Sequence, residues 1–70
     1  MGFVMRVEIL VREVRIEKGY TIDEVARMAR MSKGHLSRIE RGETEPTISS
    51  LVRLSLALKV NIERLYKVHY

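Results

Sequence analysis

Apolar residues return every three or four positions at Val7, Leu10, Val11 and Val14, and Gly19 follows Glu17-Lys18 as a residue suited to the left-handed end of a helix. This spacing predicts a first helix. The stretch Phe3 to Ile9 that overlaps its start is rich in β-branched residues and partly alternating, so it is also compatible with a strand, and the pattern leaves that segment open. Thr21 with Glu24 three positions on predicts a helix start, because the hydroxyl can accept the Glu24 amide while the carboxylate reaches back to the Thr21 amide. Val25, Ala26 and Ala29 form the short apolar face of this second helix. Ser32 is a further N-cap, and it opens a third helix with Leu36 and Ile39 inward and Gly42 stopping it just past Arg41. Thr47 opens a fourth, marked by Leu51, Leu54 and Leu58 with Ala57 beside them. Asn61 predicts a short fifth helix whose Leu65 and Tyr66 pack back on the core, leaving Lys67 to Tyr70 as a tail that frays.

Seventy residues with 46% hydrophobic content predict one small domain with one core, about residues 7–66, and terminal extensions at 1–6 and 67–70. A chain of this size buries only about 60% of the surface its unfolded form exposes. With no cysteine it has neither a disulfide framework nor a thiolate metal site, and no apolar run approaches the roughly 20 residues of a membrane span. A secretory leader pattern is likewise missing at the N-terminus, so the expected location is the cytoplasm. Thirteen Lys and Arg against nine Asp and Glu leave a formal charge of +4, which suits a polyanionic partner without requiring one.

The chemistry lies in the second and third helices. Two short helices, each with its own cap and joined by a tight turn, suit an arrangement in which one crosses the DNA backbone and the next lies in the major groove. Ala26 stands where the two must approach closely, and Val25, Ala29, Met31, Leu36 and Ile39 face inward, which leaves the outer face of the third helix polar. The residues Thr21-Ile22-Asp23-Glu24-Val25-Ala26, Met31-Ser32, Leu36-Ser37-Arg38-Ile39-Glu40-Arg41-Gly42 and Pro46-Thr47 resemble the lambda-repressor and Cro type of helix-turn-helix, also called the XRE family. The likeness runs from Val7 to Tyr66.

That resemblance implies an all-α, five-helix domain that acts as a dimer on a palindromic operator, a transcriptional regulator and more specifically a repressor. Carried onto matching positions, it puts Lys33, Gly34, Ser37 and Arg38 nearest base edges. Arg38 can grip guanine O6 and N7 with two N–H groups, whereas Ser37 donates or accepts and discriminates less. Gly34 marks either a close approach of backbone to DNA or a position that reads nothing. Thr21 and Ile22 would offer a phosphate the free amides of the second helix, with charge added by Arg27 and Arg41. Arg15 and Glu40 match positions that pair between the first and third helices of the family. Two departures stand out. Ile22 replaces a common Gln, and Arg30 replaces the turn Gly, where a positive φ strains any residue with a Cβ.

Other readings of the same residues stay open. Three basic residues on one helix face are commonly just solvated, and Arg15 and Glu40 can equally be unrelated surface charges. Glu43 and Glu45 would repel phosphates if they face DNA. His35 and His69 do not make a metal site between them, so neither a metal nor a cofactor is expected. An enzyme is not expected either, for want of a nucleophile with its base or a Gly-rich phosphate loop. The same fold can also serve as a protein-binding module, for example as the antitoxin of a toxin pair. Finally, Phe3, Val4, Ile9, Ile62, Tyr66 and Tyr70 exceed what one small core needs. They mark a homodimer interface, unless Phe3 and Val4 fold back over the first or fourth helix.

Overall fold

The computed structural model describes residues 4–70. A strand β1 (Arg6–Ile9) leads into helices α1 (Val11–Glu17), α2 (Ile22–Met28), α3 (Lys33–Glu40) and α4 (Ile48–Leu58), then a one-turn 3-10 helix (Ile62–Leu65) and a strand β2 (Tyr66–His69). The helix starts follow local chemistry. Thr21, Ser32 and Thr47 all lie in extended backbone, and each hydroxyl accepts the amide three residues ahead, from Glu24, His35 and Ser50. At Thr21 the reciprocal bond is also made, its amide donating to Glu24 Oε1 at 2.8 Å.

The four α-helices among the described residues end in the same way. The chain turns through the left-handed region at Gly19, Arg30, Gly42 and Lys59, and the amide of the following residue reaches back to satisfy a carbonyl of the last turn. After α2, for instance, the Met31 amide donates to the Ala26 carbonyl at 2.9 Å. Arg30 at φ 57° and Lys59 at φ 58° take this conformation without glycine.

The core is built from one apolar stripe per helix. Val11 and Val14 of α1, Val25 and Ala26 of α2 with Ala29 just beyond, Leu36 and Ile39 of α3, Leu54 and Leu58 of α4, and Leu65 are all buried. Ala26 is small enough for α2 and α3 to close on each other. Two buried polar side chains lie on α4. Ser55 Oγ donates to the Val52 carbonyl at 2.7 Å, and Ser50 Oγ accepts from Thr47 Oγ1 at 3.1 Å, so burial leaves neither hydroxyl unpaired.

The ends of the chain correct the all-α, five-helix expectation. Val7 belongs to β1, not to the first helix. In place of a fifth α-helix the chain makes a single 3-10 turn, and Tyr66–His69, expected in the last helix and its tail, pair antiparallel with β1. The register sets Arg6 opposite His69, Val7 opposite Val68, Glu8 opposite Lys67 and Ile9 opposite Tyr66. Val7, Ile9, Tyr66 and Val68 therefore share one face, and Arg6, Glu8, Lys67 and His69 the other. Leu10, at the end of β1, donates to the Leu65 carbonyl at 2.8 Å, which holds the two segments together where they leave the core.

Candidate nucleic-acid interface

With Leu36 and Ile39 fully buried, the 3.6-residue period turns Lys33, Gly34, Ser37, Arg38 and Arg41 toward the opposite side of α3. Lys33, Gly34, Arg38 and Arg41 are exposed and Ser37 is half-buried. Arg38 extends back along this stripe, since a Cβ built on Gly34 would lie 3.5 Å from an Arg38 guanidinium nitrogen. That is ordinary contact. Gly34 thus keeps the stripe low without being demanded by its backbone.

The stripe is held in place from behind. Arg15 Nε and Nη2 donate to the two carboxylate oxygens of Glu40 at 2.7 and 3.0 Å, and Arg15 Nη1 donates to the Tyr20 carbonyl at 3.0 Å. The two side chains are only 14% and 5% exposed, so this fork binds α1 to the last turn of α3 where water competes little. The hydrogen bond to Glu40 holds the Arg15 guanidinium even more firmly protonated than usual, against the opposing effect of burial.

At the front, the first turns of α2 and α3 meet through Lys33 Nζ and Asp23 Oδ2 at 3.5 Å, an exposed and weak pair. The Thr21 hydroxyl and amide are both engaged with Glu24, and Ile22 is half-buried against the core. Only backbone amides of that turn therefore remain for an anion, with the Asp23 and Glu24 carboxylates beside them. Arg27 is exposed on the last turn of α2 and takes no part in the side-chain bonds that link the others.

Arg41 is already occupied. Its Nε and Nη2 donate to both oxygens of Glu43 at 2.7 and 3.2 Å, and its Nη1 bonds the Ser37 hydroxyl. The Arg41 guanidinium pulls the Glu43 carboxyl below the ordinary carboxylate range. Glu43 thus holds Arg41 directly, a contact that the expectation of simple repulsion between Glu43 and phosphate did not include.

Sequence reasoning missed one supporting residue. Arg53 Nη1 on α4 donates to the Arg30 carbonyl at 3.1 Å, tying down the left-handed turn between α2 and α3. No local pattern points to this bond, because Arg53 lies 23 residues from Arg30. His35 is half-buried on α3, whereas His69 lies on the sheet with its Nε2 2.8 Å from Glu8 Oε1. Among the described residues no group of three or more His, Cys, Asp or Glu is placed to hold a metal ion, and no helix is long and apolar enough to cross a membrane.

Comparison with known proteins agrees with this geometry. The helix-turn-helix family profile matches residues 11–65. The transcriptional regulator SinR of Bacillus subtilis is 39% identical over 56 residues, which is 79% of this chain and 50% of SinR. The transcriptional regulator ClgR of Mycobacterium tuberculosis is 41% identical over 51 residues, 73% of this chain and 46% of that protein. The chain thus spans about half the length of the curated relatives it matches. Among solved structures, SinR in complex with DNA superposes with a TM-score of 0.71 at 37% identity, covering 76% of this chain and 86% of the other. SinR has also been solved in complex with the SinI protein, with the same TM-score and identity over 76% of this chain and 52% of that one. These relatives are regulators and not enzymes. The chain belongs to the helix-turn-helix family, and within it to the lambda-repressor and Cro type.

Proposed function

We propose that the chain binds double-stranded DNA sequence-specifically, with α3 in the major groove, and regulates transcription as a repressor in the cytoplasm. The observation that carries this reading is the exposed stripe of α3, polar and basic, on a helix whose inner face and last turn are fixed by Leu36, Ile39 and the Arg15–Glu40 fork. Rigid support matters because a side chain reads a base edge only from a defined position.

In this reading Arg38 grips a guanine, Lys33 and Ser37 touch neighbouring base edges, and Gly34 lets the backbone come close. Arg41 leaves Glu43 for a phosphate, Arg27 adds charge at the rim, and the Ile22 amide meets the backbone of the duplex, joined by Thr21 where its amide exchanges Glu24 for a phosphate. The protein acts as a two-fold dimer, so that two copies of α3 enter successive turns of the major groove about 34 to 36 Å apart. Of the apolar residues assigned to that dimer, Phe3 lies outside the described residues. Val4 and Tyr70 are almost fully exposed, and Ile9, Ile62 and Tyr66 are half-buried.

Selection of bound sequences from a random duplex library tests the proposal directly. A conserved half-site repeated with two-fold symmetry is the expected result, and failure to enrich any sequence would overturn it. A second reading is a protein-binding module on the same fold, and SinR, about half of whose chain this one matches, has been solved in complex with the SinI protein. A stoichiometric complex with a co-encoded protein, formed without DNA, would support that one.

A further inference from the structure

Among the described residues, the two-stranded sheet leaves the outer edge of each strand unpaired by any other strand. A cleft of about 370 Å³ opens between β1 and the loop after α3, lined by Val7, Glu8 and Ile9 on one side and by Arg41, Gly42 and Thr44 on the other. An open strand edge carries a row of unsatisfied amides and carbonyls and is a ready template for a further strand. The two edges differ in charge. On the polar face β1 carries Arg6 and Glu8, one of each sign, whereas β2 carries Lys67 and His69.

We propose that a second copy of the chain pairs with β1 through its own β1, antiparallel about a two-fold axis at Val7, to give a four-stranded sheet β2–β1–β1–β2. This inference rests on the dimer reading above and assigns its interface. Residues directly opposite one another in an antiparallel pair project to the same face, so a two-fold axis normal to the sheet must pass through a residue position and not between two. Four positions are then available within β1, and the last, Ile9, is excluded by the strand's end, because it would set Val7 opposite Val11, which already belongs to α1. An axis at Arg6 sets two arginines against each other, and an axis at Glu8 does the same with two carboxylates. At Val7, Arg6 of each copy faces Glu8 of the other, Val7 meets Val7, and the exposed Met5 faces Ile9. Opposite charges directly across a strand pair stabilise it and like charges destabilise it, so charge selects both the edge and the register. Self-pairing of β2 has no such solution, because an axis at Lys67 opposes two lysines and an axis at Tyr66, Val68 or His69 sets no two β2 residues of opposite charge against each other.

Charge reversal in the full chain tests this pairing. Sedimentation equilibrium at tens of micromolar should give a dimer for the parent protein. Arg6→Glu and Glu8→Arg should each weaken association by about tenfold or more, since either change turns both symmetric pairs repulsive. An equimolar mixture of the two variants should form a heterodimer, because every cross-axis pair is then again of opposite sign. The double variant Arg6→Glu/Glu8→Arg should recover a homodimer, and circular dichroism on each protein separates loss of association from loss of folding. If the parent is a dimer and both single variants associate as tightly as it does, the β1 interface is wrong while the dimer reading stands. If the parent is a monomer both free and on operator DNA, both readings fall.

Discussion

Arg15 of α1 and Glu40 of α3, 25 residues apart in sequence, meet in a two-pronged ion pair at 2.7 and 3.0 Å behind the exposed stripe of α3. Removing one partner leaves the other charge largely out of water and uncompensated. Arg15→Ala and Glu40→Ala should therefore each destabilise the fold by roughly 3 kcal/mol. The double variant should lose less than the sum, with a coupling of about 0.5 to 3 kcal/mol. Urea melts of the four proteins measure this, and strict additivity would contradict the pairing. DNA affinity should fall further than stability alone explains, because the last turn of α3 is then free to shift.

Arg38 and Arg41 should separate in their effects on DNA binding. Arg38→Ala should relax the preference at one base pair at a cost of about 1 to 3 kcal/mol. Arg41→Ala should weaken all sequences alike and reduce the salt slope by about one. Glu43→Gln should do the reverse of Arg41→Ala, raising affinity for every sequence, since Arg41 no longer has to leave a carboxylate to reach a phosphate. Titrations of matched and mismatched duplexes at several salt concentrations distinguish the three. Uniform weakening by Arg38→Ala would remove it as a base reader.

The left-handed residues Arg30 and Lys59 offer a stability gain. Each carries a Cβ at φ 57° or 58°, a conformation that costs about 1 kcal/mol relative to glycine, which adopts it freely. Arg30→Gly and Lys59→Gly should both raise the thermal midpoint, and the carbonyl bond from Arg53 persists in the first because it uses the backbone of residue 30. A lowered midpoint in both would show that these side chains contribute packing that outweighs the strain.

Acid should destabilise the domain through three carboxylates. Bonds from the Thr21 amide and hydroxyl lower the Glu24 pKa from its ordinary value of 4.5, the His69 hydrogen bond lowers that of Glu8, and the Arg41 hydrogen bond that of Glu43. Groups with depressed folded-state pKa values contribute stability that is fully present above 4.5 and is lost as the pH falls through the lowered values. Urea midpoints should thus be flat from neutrality to about pH 5 and decline below it. Glu24 and Glu43 are exposed and Glu8 is half-buried, so added salt should shrink the decline where it arises from charge pairs. Glu24→Gln should flatten part of the curve, and an unchanged pH profile would remove the capping carboxylate from this account.

How the fold was legible follows from the range of each interaction. Helix starts at Thr21, Ser32 and Thr47 and helix ends at Gly19, Arg30 and Gly42 could be read from the chain, because caps are hydrogen bonds between residues within about six positions of one another. The inward faces of α2, α3 and α4 were equally legible, since a 3.6-residue period is a property of the chain itself. From these local signals together with the family resemblance, the exposed stripe of α3 follows.

Tertiary structure decided the rest. Arg6–Ile9 and Tyr66–His69 are each too short and too mixed in pattern to declare themselves strands. Only when the helical core brings the two ends of the domain together can groups 61 residues apart, such as Glu8 and His69, pair across a sheet. Closing that contact is a matter of chain geometry and loop entropy, which no local spacing encodes. For the same reason the Arg53 bond to the Arg30 carbonyl could not be read from sequence, and the Glu43 grip on Arg41 depends on how the loop after α3 turns back. The sequence alone determined which helix face would carry the chemistry, and the packing of distant segments decided how that face is held and which edge is left open beside it.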